Sequence, residues 1–228
     1  MQTFDGATVL VTGATGFVGG RLAARLAQET DAHVRALVRD PARAQALAAL
    51  GCELAPGDLT DAASLQRAVA GCTHIYHAAA WVSEQGSRAE LWAVNVTGTA
   101  ELVQAALAVG VSRFIQISSC AVYGSQQRFG IDETWPLRPG ANLYADSKIA
   151  AEQVLWQAQR EQGLPLVVAR PSQVYGLGSP QFTLRPLQIG APDIGRREIG
   201  VVGDRFREIL ERRVVAGGLA IGESAVVV

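Results

Sequence analysis

Thr8-Val-Leu-Val-Thr-Gly-Ala-Thr-Gly-Phe-Val-Gly-Gly20 is the stretch whose reading decides the fold. Val9, Leu10 and Val11 form a short apolar run suited to a strand buried on both faces. Gly13, Gly16 and Gly19 then turn the chain into an Ala- and Leu-rich helix that begins near Phe17. Gly13 permits the tight turn, Gly16 lets backbone approach a ligand with no Cβ in the way, and Gly19 lets the helix lie close on the sheet. The N–H groups of the first helical turn, with the positive end of the helix dipole, face whatever sits above the loop. The expected ligand is a phosphate or pyrophosphate. A glycine triplet also serves purely steric ends, so the rest of the chain has to carry the argument.

Composition narrows the classes. A chain of 228 residues that is 49% hydrophobic can bury a sizeable core and fits one α/β unit. The net charge of −1 comes without a basic stripe, which argues against nucleic acid as a partner. No apolar run approaches the ~20 residues of a membrane helix. Met1 to Gly6 shows no positive segment leading into an apolar core, so the expectation is a cytoplasmic protein with no membrane partner. Cys52, Cys72 and Cys120 are widely spaced and form no C-x-x-C pair, and they read as small buried hydrophobes rather than disulfide partners or metal ligands. Of the 20 basic residues 19 are Arg, and the single Lys is Lys148. A lone Lys in such a chain points to a task that Arg cannot perform.

Helical periodicity runs from Phe17 to about Gln28, and His33–Val38 reads as the second strand, completing a right-handed β-α-β unit. In a dinucleotide-binding fold the end of that strand meets the adenosine ribose. Arg39 stands there, and a guanidinium suits a 2′-phosphate, with Arg43 one turn later as a second charge. A solvated surface arginine is the plainer alternative, and Asp40 either caps the helix opened by Pro41 or contacts a ribose. A helix over 41–50, a strand near Cys52–Ala55, and a helix over 61–69 follow. Asp58 or Thr60 is expected to cap the last of these.

Thr73–His77 reads as the fourth strand, running into Ala78-Ala79-Ala80, with His77 as a packed strand-end histidine. A long helix is expected from Ala89 to Val109. Asn95 sits in its middle, a poor place for Asn unless its amide bonds something specific. The fifth strand, Phe114–Ser118, leads into Ser119, at the strand end where open α/β sheets bind ligands. Tyr144-Ala-Asp-Ser-Lys148 opens a helix reaching Gln162, with Tyr144 and Lys148 one turn apart on one face. A phenol with a pKa near ~10 needs help to act as a base at neutral pH, and an adjacent ammonium lowers that pKa. Pro165–Pro171 is the sixth strand.

The G-x-x-G-x-x-G spacing resembles the short-chain dehydrogenase/reductase superfamily, and Thr12-Gly-Ala-Thr-Gly-Phe-Val-Gly19 resembles its extended, epimerase/dehydratase branch. Asp58-Leu59, His77-Ala-Ala-Ala80, Ser119, Tyr144-x-x-x-Lys148 and Arg170-Pro-Ser-Gln-Val-Tyr-Gly176 occur in the family's order, over about residues 8–178. Trp81-Val-Ser83 and the Val38-Arg-Asp-Pro41 turn bring it closer to the dihydroflavonol-reductase and hydroxysteroid-dehydrogenase side than to nucleotide-sugar epimerases. The resemblance implies a Rossmann-type doubly wound parallel sheet with helices on both faces. It implies NADP, or NAD, as cofactor, and proton transfer by Tyr144 with Ser119 on the same substrate oxygen. Lys148 would tune Tyr144 and hold the nicotinamide ribose. Gly13, Thr15, Gly16, Phe17, Val18, Gly19, Arg39, Ala78, Ala79 and Pro171 would line the cofactor, Asp58 and Leu59 its adenine, and Asn95 would brace the site. The substrate would be a small molecule, and the family's helix-paired homodimer would use 89–109 and 144–162.

Beyond residue 178 the resemblance ends, and residues 179–228 read as a short substrate region. A helix near 204–215 and a terminal Val226–Val228, either edge strand or frayed end, are expected there. The rival reading is a protein that binds a dinucleotide without catalysis.

Overall fold

The computed structural model describes residues 4–82, 87–124, 131–172, 174, 176, 179 and 225–227. They form a parallel sheet whose strand order is β3-β2-β1-β4-β5-β6-β7. The strands are β1 Thr8–Thr12, β2 His33–Val38, β3 Glu53–Pro56, β4 His74–His77, β5 Arg113–Ile117, β6 Leu166–Ala169 and β7 Ala225–Val227. The order reverses between β1 and β4, which opens a crevice at the carboxyl ends of those two strands.

Strand alternation divides the core. Val9 and Val11 point to the side covered by α1 (Phe17–Glu29) and α2 (Gln45–Ala49), where Ala23, Leu26 and Leu47 pack. Leu10, Ile75, Phe114 and Val168 point to the other side, onto α3 (Ala62–Val69), α5 (Gly98–Val109) and α6 (Leu143–Gln162), through Leu65, Leu102 and Leu155. Both faces are covered, which is why the strands read as apolar runs.

Several boundaries differ from the sequence expectation for local reasons. The helix expected over 41–50 opens as a 3-10 turn, Pro41–Ala44, before α2. Asp40 caps that turn by accepting from the Ala42 N–H at 2.9 Å, which settles its alternatives in favour of a cap. Asp61, rather than Asp58 or Thr60, caps α3, accepting from the Ser64 N–H at 3.2 Å. The helix expected from Ala89 to Val109 is α4 (Arg88–Trp92), a π-helical turn (Ala93–Thr97) and α5. In that turn the Gly98 N–H reaches back to the Ala93 carbonyl. Of the two expectations for the chain's end, edge strand is the one found: β7 runs parallel to β6, with Val226 opposite Val168. The helix expected near 204–215 lies outside the described residues. Among the described residues no helix is long and apolar enough to cross a membrane.

Candidate active site

The crevice begins with Gly13, whose φ of +67° suits only glycine without strain. A Cβ there would lie 2.7 Å from the Ala79 backbone nitrogen, so the β1 turn and the Ala78-Ala79 segment after β4 touch backbone to backbone. At Gly19 a Cβ would meet the Gly13 carbonyl oxygen at 2.4 Å, so α1 is drawn onto the turn. Gly16 is the N-cap of α1, with no side chain capping it and no acidic residue in the first turn. Among the described residues the N-cap therefore supplies no side-chain acceptor to the N–H groups that open α1. Thr15 and Gly16 are exposed and Phe17 and Val18 half-buried, at the mouth of the same cradle.

At the end of β2, Arg39 is exposed, and among the described residues its ion-pair contact is with Asp58, at 4.0 Å. Burial pushes the Asp58 carboxyl up, but hydrogen bonds from the Thr60 N–H and hydroxyl, with the Arg39 guanidinium, more than offset it and leave the group below its ordinary value. Leu59 is buried, and Gly98 of α5 packs on it so closely that a Cβ on Gly98 would come within 2.8 Å of Leu59 Cβ. The Leu59 side chain therefore belongs to the core.

Under Ala78-Ala79 lies a directed chain of hydrogen bonds. The Ala79 N–H donates to Thr12 Oγ1 at 3.1 Å, and Thr12 Oγ1 lies 2.7 Å from His77 Nδ1. On the other side of the ring His77 Nε2 lies 3.0 Å from Thr99 Oγ1, whose proton goes to the Asn95 carbonyl at 2.7 Å. Each hydroxyl has one proton, so Nδ1 accepts and Nε2 carries the hydrogen. Burial, and then the charge of Lys148, pull the His77 pKa down to about 3. It is a neutral structural histidine, as its place at a strand end implied.

Asn95 sits in the π-helical turn and is buried. Its Oδ1 accepts from the Trp81 N–H at 2.7 Å, and its Nδ2 donates to the Trp81 carbonyl at 3.0 Å and to Ser147 Oγ at 3.0 Å. Ser147 in turn donates to the Tyr144 carbonyl at 2.7 Å. With its amide engaged in this way, Asn95 ties the start of α6 to the segment after β4.

Ser119, Tyr144 and Lys148 come together above β5. Ser119 caps the 3-10 turn Cys120–Tyr123, accepting from the Ala121 N–H at 3.2 Å, and its hydroxyl faces the Tyr144 phenol. Asn142 starts α6 by accepting from the Ala145 N–H at 2.8 Å, which sets Tyr144 in the first turn. Burial pushes the phenol above its ordinary value, the Ser119 hydroxyl opposes this, and nearby Cys120 adds to the rise. The expectation that Lys148 lowers this pKa is not met: the ammonium lies 6.0 Å from the Tyr144 ring centroid and donates to the Ile117 carbonyl at 3.0 Å. Lys148 is itself buried, which pulls it down to about 8 with Glu152 opposing. Pro171 closes this side, its carbonyl accepting from the Cys120 N–H at 3.0 Å.

One feature was missed from sequence. Glu152 and Arg170 are buried and paired, Nε to Oε1 at 3.0 Å and Nη2 to Oε2 at 2.6 Å, beside Ser118 and Tyr123. The available signal was the 144, 148, 152 stripe on α6 and a charged Arg170 ending an apolar strand.

The comparisons agree with this geometry. Residues 9–190 match the model of the NAD dependent epimerase/dehydratase family. The chain belongs to that family. It is 36% identical over 179 residues to a 3-beta-hydroxysteroid dehydrogenase of Mycolicibacterium neoaurum, covering 75% of this chain and 48% of the relative. It is 35% identical over 187 residues to sterol demethylase protein B of Methylococcus capsulatus, covering 80% and 55%. The family member described here spans about half the length of the curated relatives it matches. Among solved structures, a short-chain dehydrogenase/reductase superfamily protein from Agrobacterium tumefaciens with bound NAD aligns at TM-score 0.64 and 32% identity, over 72% of this chain and 48% of that one. A dTDP-glucose 4,6-dehydratase from Streptomyces venezuelae, also with NAD bound, aligns at TM-score 0.72 and 27% identity, over 80% and 62%.

Proposed function

We propose that the protein is an NAD(P)-dependent oxidoreductase or epimerase/dehydratase acting on a hydroxyl or carbonyl of a small molecule. The observation that carries this reading is the meeting of three groups: the Ser119 hydroxyl facing the Tyr144 phenol, the buried Lys148 one turn along α6, and the α1 N-terminus, which its N-cap Gly16 leaves without a side-chain cap. A nicotinamide dinucleotide fits the cradle, because Gly13 and Ala79 leave no room for side chains between the two segments and the N-cap of α1 leaves its first N–H groups without a side-chain acceptor. Gly13, Thr15, Gly16, Phe17, Val18 and Gly19 would hold its phosphates, Asp58 and the Leu59 backbone its adenine, and Ala78, Ala79, Lys148 and Pro171 its nicotinamide half. When bound, the group accepts or supplies a hydride.

Tyr144 is the proton donor and acceptor. Its phenol faces the Ser119 hydroxyl, so both groups converge on one point and can hydrogen-bond the same substrate oxygen. Lys148, one turn along α6 and held by the Ile117 carbonyl, would bind the nicotinamide ribose. Asp40 is engaged as a cap, which leaves Arg39 as the cationic side chain at the β2 end and favours NADP over NAD. The family's helix-paired homodimer, through α4–α5 and α6, belongs to this reading.

The test is incubation of the purified protein with NADPH or NADH and a panel of ketosteroids, flavonoid-type ketones and nucleotide sugars. Cofactor consumption or product formation supports the enzyme. Tight dinucleotide binding with no turnover across the panel, or through any co-purified ligand identified by mass spectrometry, favours the purely binding role.

A further inference from the structure

Glu152 lies one helical turn beyond Lys148 and is fully buried. Its carboxylate takes three hydrogen bonds: Ser118 Oγ at 2.5 Å and Arg170 Nε at 3.0 Å on Oε1, and Arg170 Nη2 at 2.6 Å on Oε2. Arg170 also donates to the Tyr123 hydroxyl at 2.7 Å. One carboxylate thus joins the end of β5, the residue after β6 and the middle of α6, and Ser118 directly precedes Ser119.

Lys148 needs such a neighbour. An ammonium has three protons to donate, and the Ile117 carbonyl is the acceptor the structure gives it. Taken out of water with one acceptor, it would give up its charge. The titratable and charged groups around it are Tyr144 and Glu152 on its own helix, His77 on β4, Cys120 beside Tyr144, and Arg170 behind Glu152. His77 is neutral and the phenol and thiol are held protonated by burial, so Glu152 is the one negative charge in this set. The two-pronged contact with Arg170 pairs this buried carboxylate with an opposite charge.

We propose that Glu152 is a positioning residue of this site: its carboxylate, held by Arg170 and Ser118, keeps the buried Lys148 ammonium protonated near neutral pH and seats Ser119 against Tyr144. The proposal rests on the roles given to Lys148 and Ser119 above. The direction in which Glu152 moves Lys148, opposing the effect of burial, agrees with it.

Because the chain has a single lysine, a ¹³Cε-lysine label gives one side-chain signal, and its pH titration reads Lys148 alone. The parent is expected to titrate near about 8. Glu152→Gln should lower the midpoint by about one pH unit or more, a tenfold or greater loss of proton affinity. Tyr123→Phe, which touches Arg170 but leaves the carboxylate, should keep the midpoint within about 0.3. Should Glu152→Gln not fold, the double variant Glu152→Met/Arg170→Met leaves no orphan charge and should show a fall in the same direction, smaller because the Arg170 charge is removed as well. A folded Glu152 variant with the parent's midpoint overturns the proposal. The titration needs neither cofactor nor turnover, so a parent that binds no dinucleotide would sink the functional reading and leave this result standing.

Discussion

Arg39 and His77 show how one side chain decides a property. Arg39 is exposed and, among the described residues, held by a 4.0 Å contact with Asp58, so little is lost locally when it is removed. A charge-assisted, two-pronged contact with a 2′-phosphate contributes about 1.5–3 kcal/mol, roughly ten- to a hundredfold in affinity. Arg39→Ala should therefore weaken NADP(H) by that factor and leave NAD(H) unchanged in a calorimetric titration, and equal parent affinities for the two would make Arg39 a surface residue. His77 sets an acid limit. Its folded pKa of about 3 lies below the ordinary 6.5, so the unfolded chain takes up a proton that the native state refuses. The stability from this group is complete above pH 6.5 and is lost as pH falls towards 3, on the order of 5 kcal/mol in all. Urea unfolding at pH 7, 5 and 4 should show that decline, and His77→Asn should flatten it. Gly13, Ser119, Tyr144 and Lys148 were legible because their spacing is local and their chemistry needs those residue types. Glu152 and Arg170 were not, because a charged residue in sequence reads as surface until folding buries it.

The helix from 88 to 109 carries a different lesson. Its apolar spacing was readable, but the π-helical turn at 93–97 was not, since one extra residue per turn alters no residue type. Its consequence is visible only in three dimensions: Asn95 is turned inward to bond Trp81 and Ser147. Asn95→Ala would remove the amide's hydrogen bonds to the Trp81 N–H and carbonyl and to Ser147, at a cost of roughly 1–3 kcal/mol. Denaturant titration should register that loss, and turnover should fall further than stability requires because the start of α6 is no longer braced. An unchanged stability would mean that water replaces the amide at no cost. In α6 the buried face carries Ser147, Lys148 and Glu152 among apolar residues, so its periodicity is blurred where the chemistry sits. The strands, by contrast, are largely apolar and bounded by glycines or turns, and the first six were all readable to within a residue at their starts.

Taken together, the buried charges mean that this fold gives up stability to its site. Lys148 titrates near about 8 instead of 10.5, so below pH 8 both states are protonated and the native state carries the full cost of burying the charge. Between pH 8 and 10.5 the native lysine releases its proton first, and stability rises with pH. Lys148→Met should therefore be about 1–3 kcal/mol more stable than the parent at pH 7, with the gap closing above pH 8. Comparing the two proteins cancels the opposite trend from Cys52, Cys72 and Tyr76, whose raised values lower stability at higher pH. A variant less stable than the parent at pH 7 would mean that the Ile117 hydrogen bond outweighs the desolvation of the charge. Tyr144 is the proposed proton-transfer group of a dinucleotide-dependent reaction. Measuring the NADPH dissociation constant and the turnover number side by side for the parent and Tyr144→Phe isolates one oxygen atom. The predicted result is an unchanged dissociation constant with turnover reduced by more than tenfold. Turnover within tenfold of the parent would contradict it.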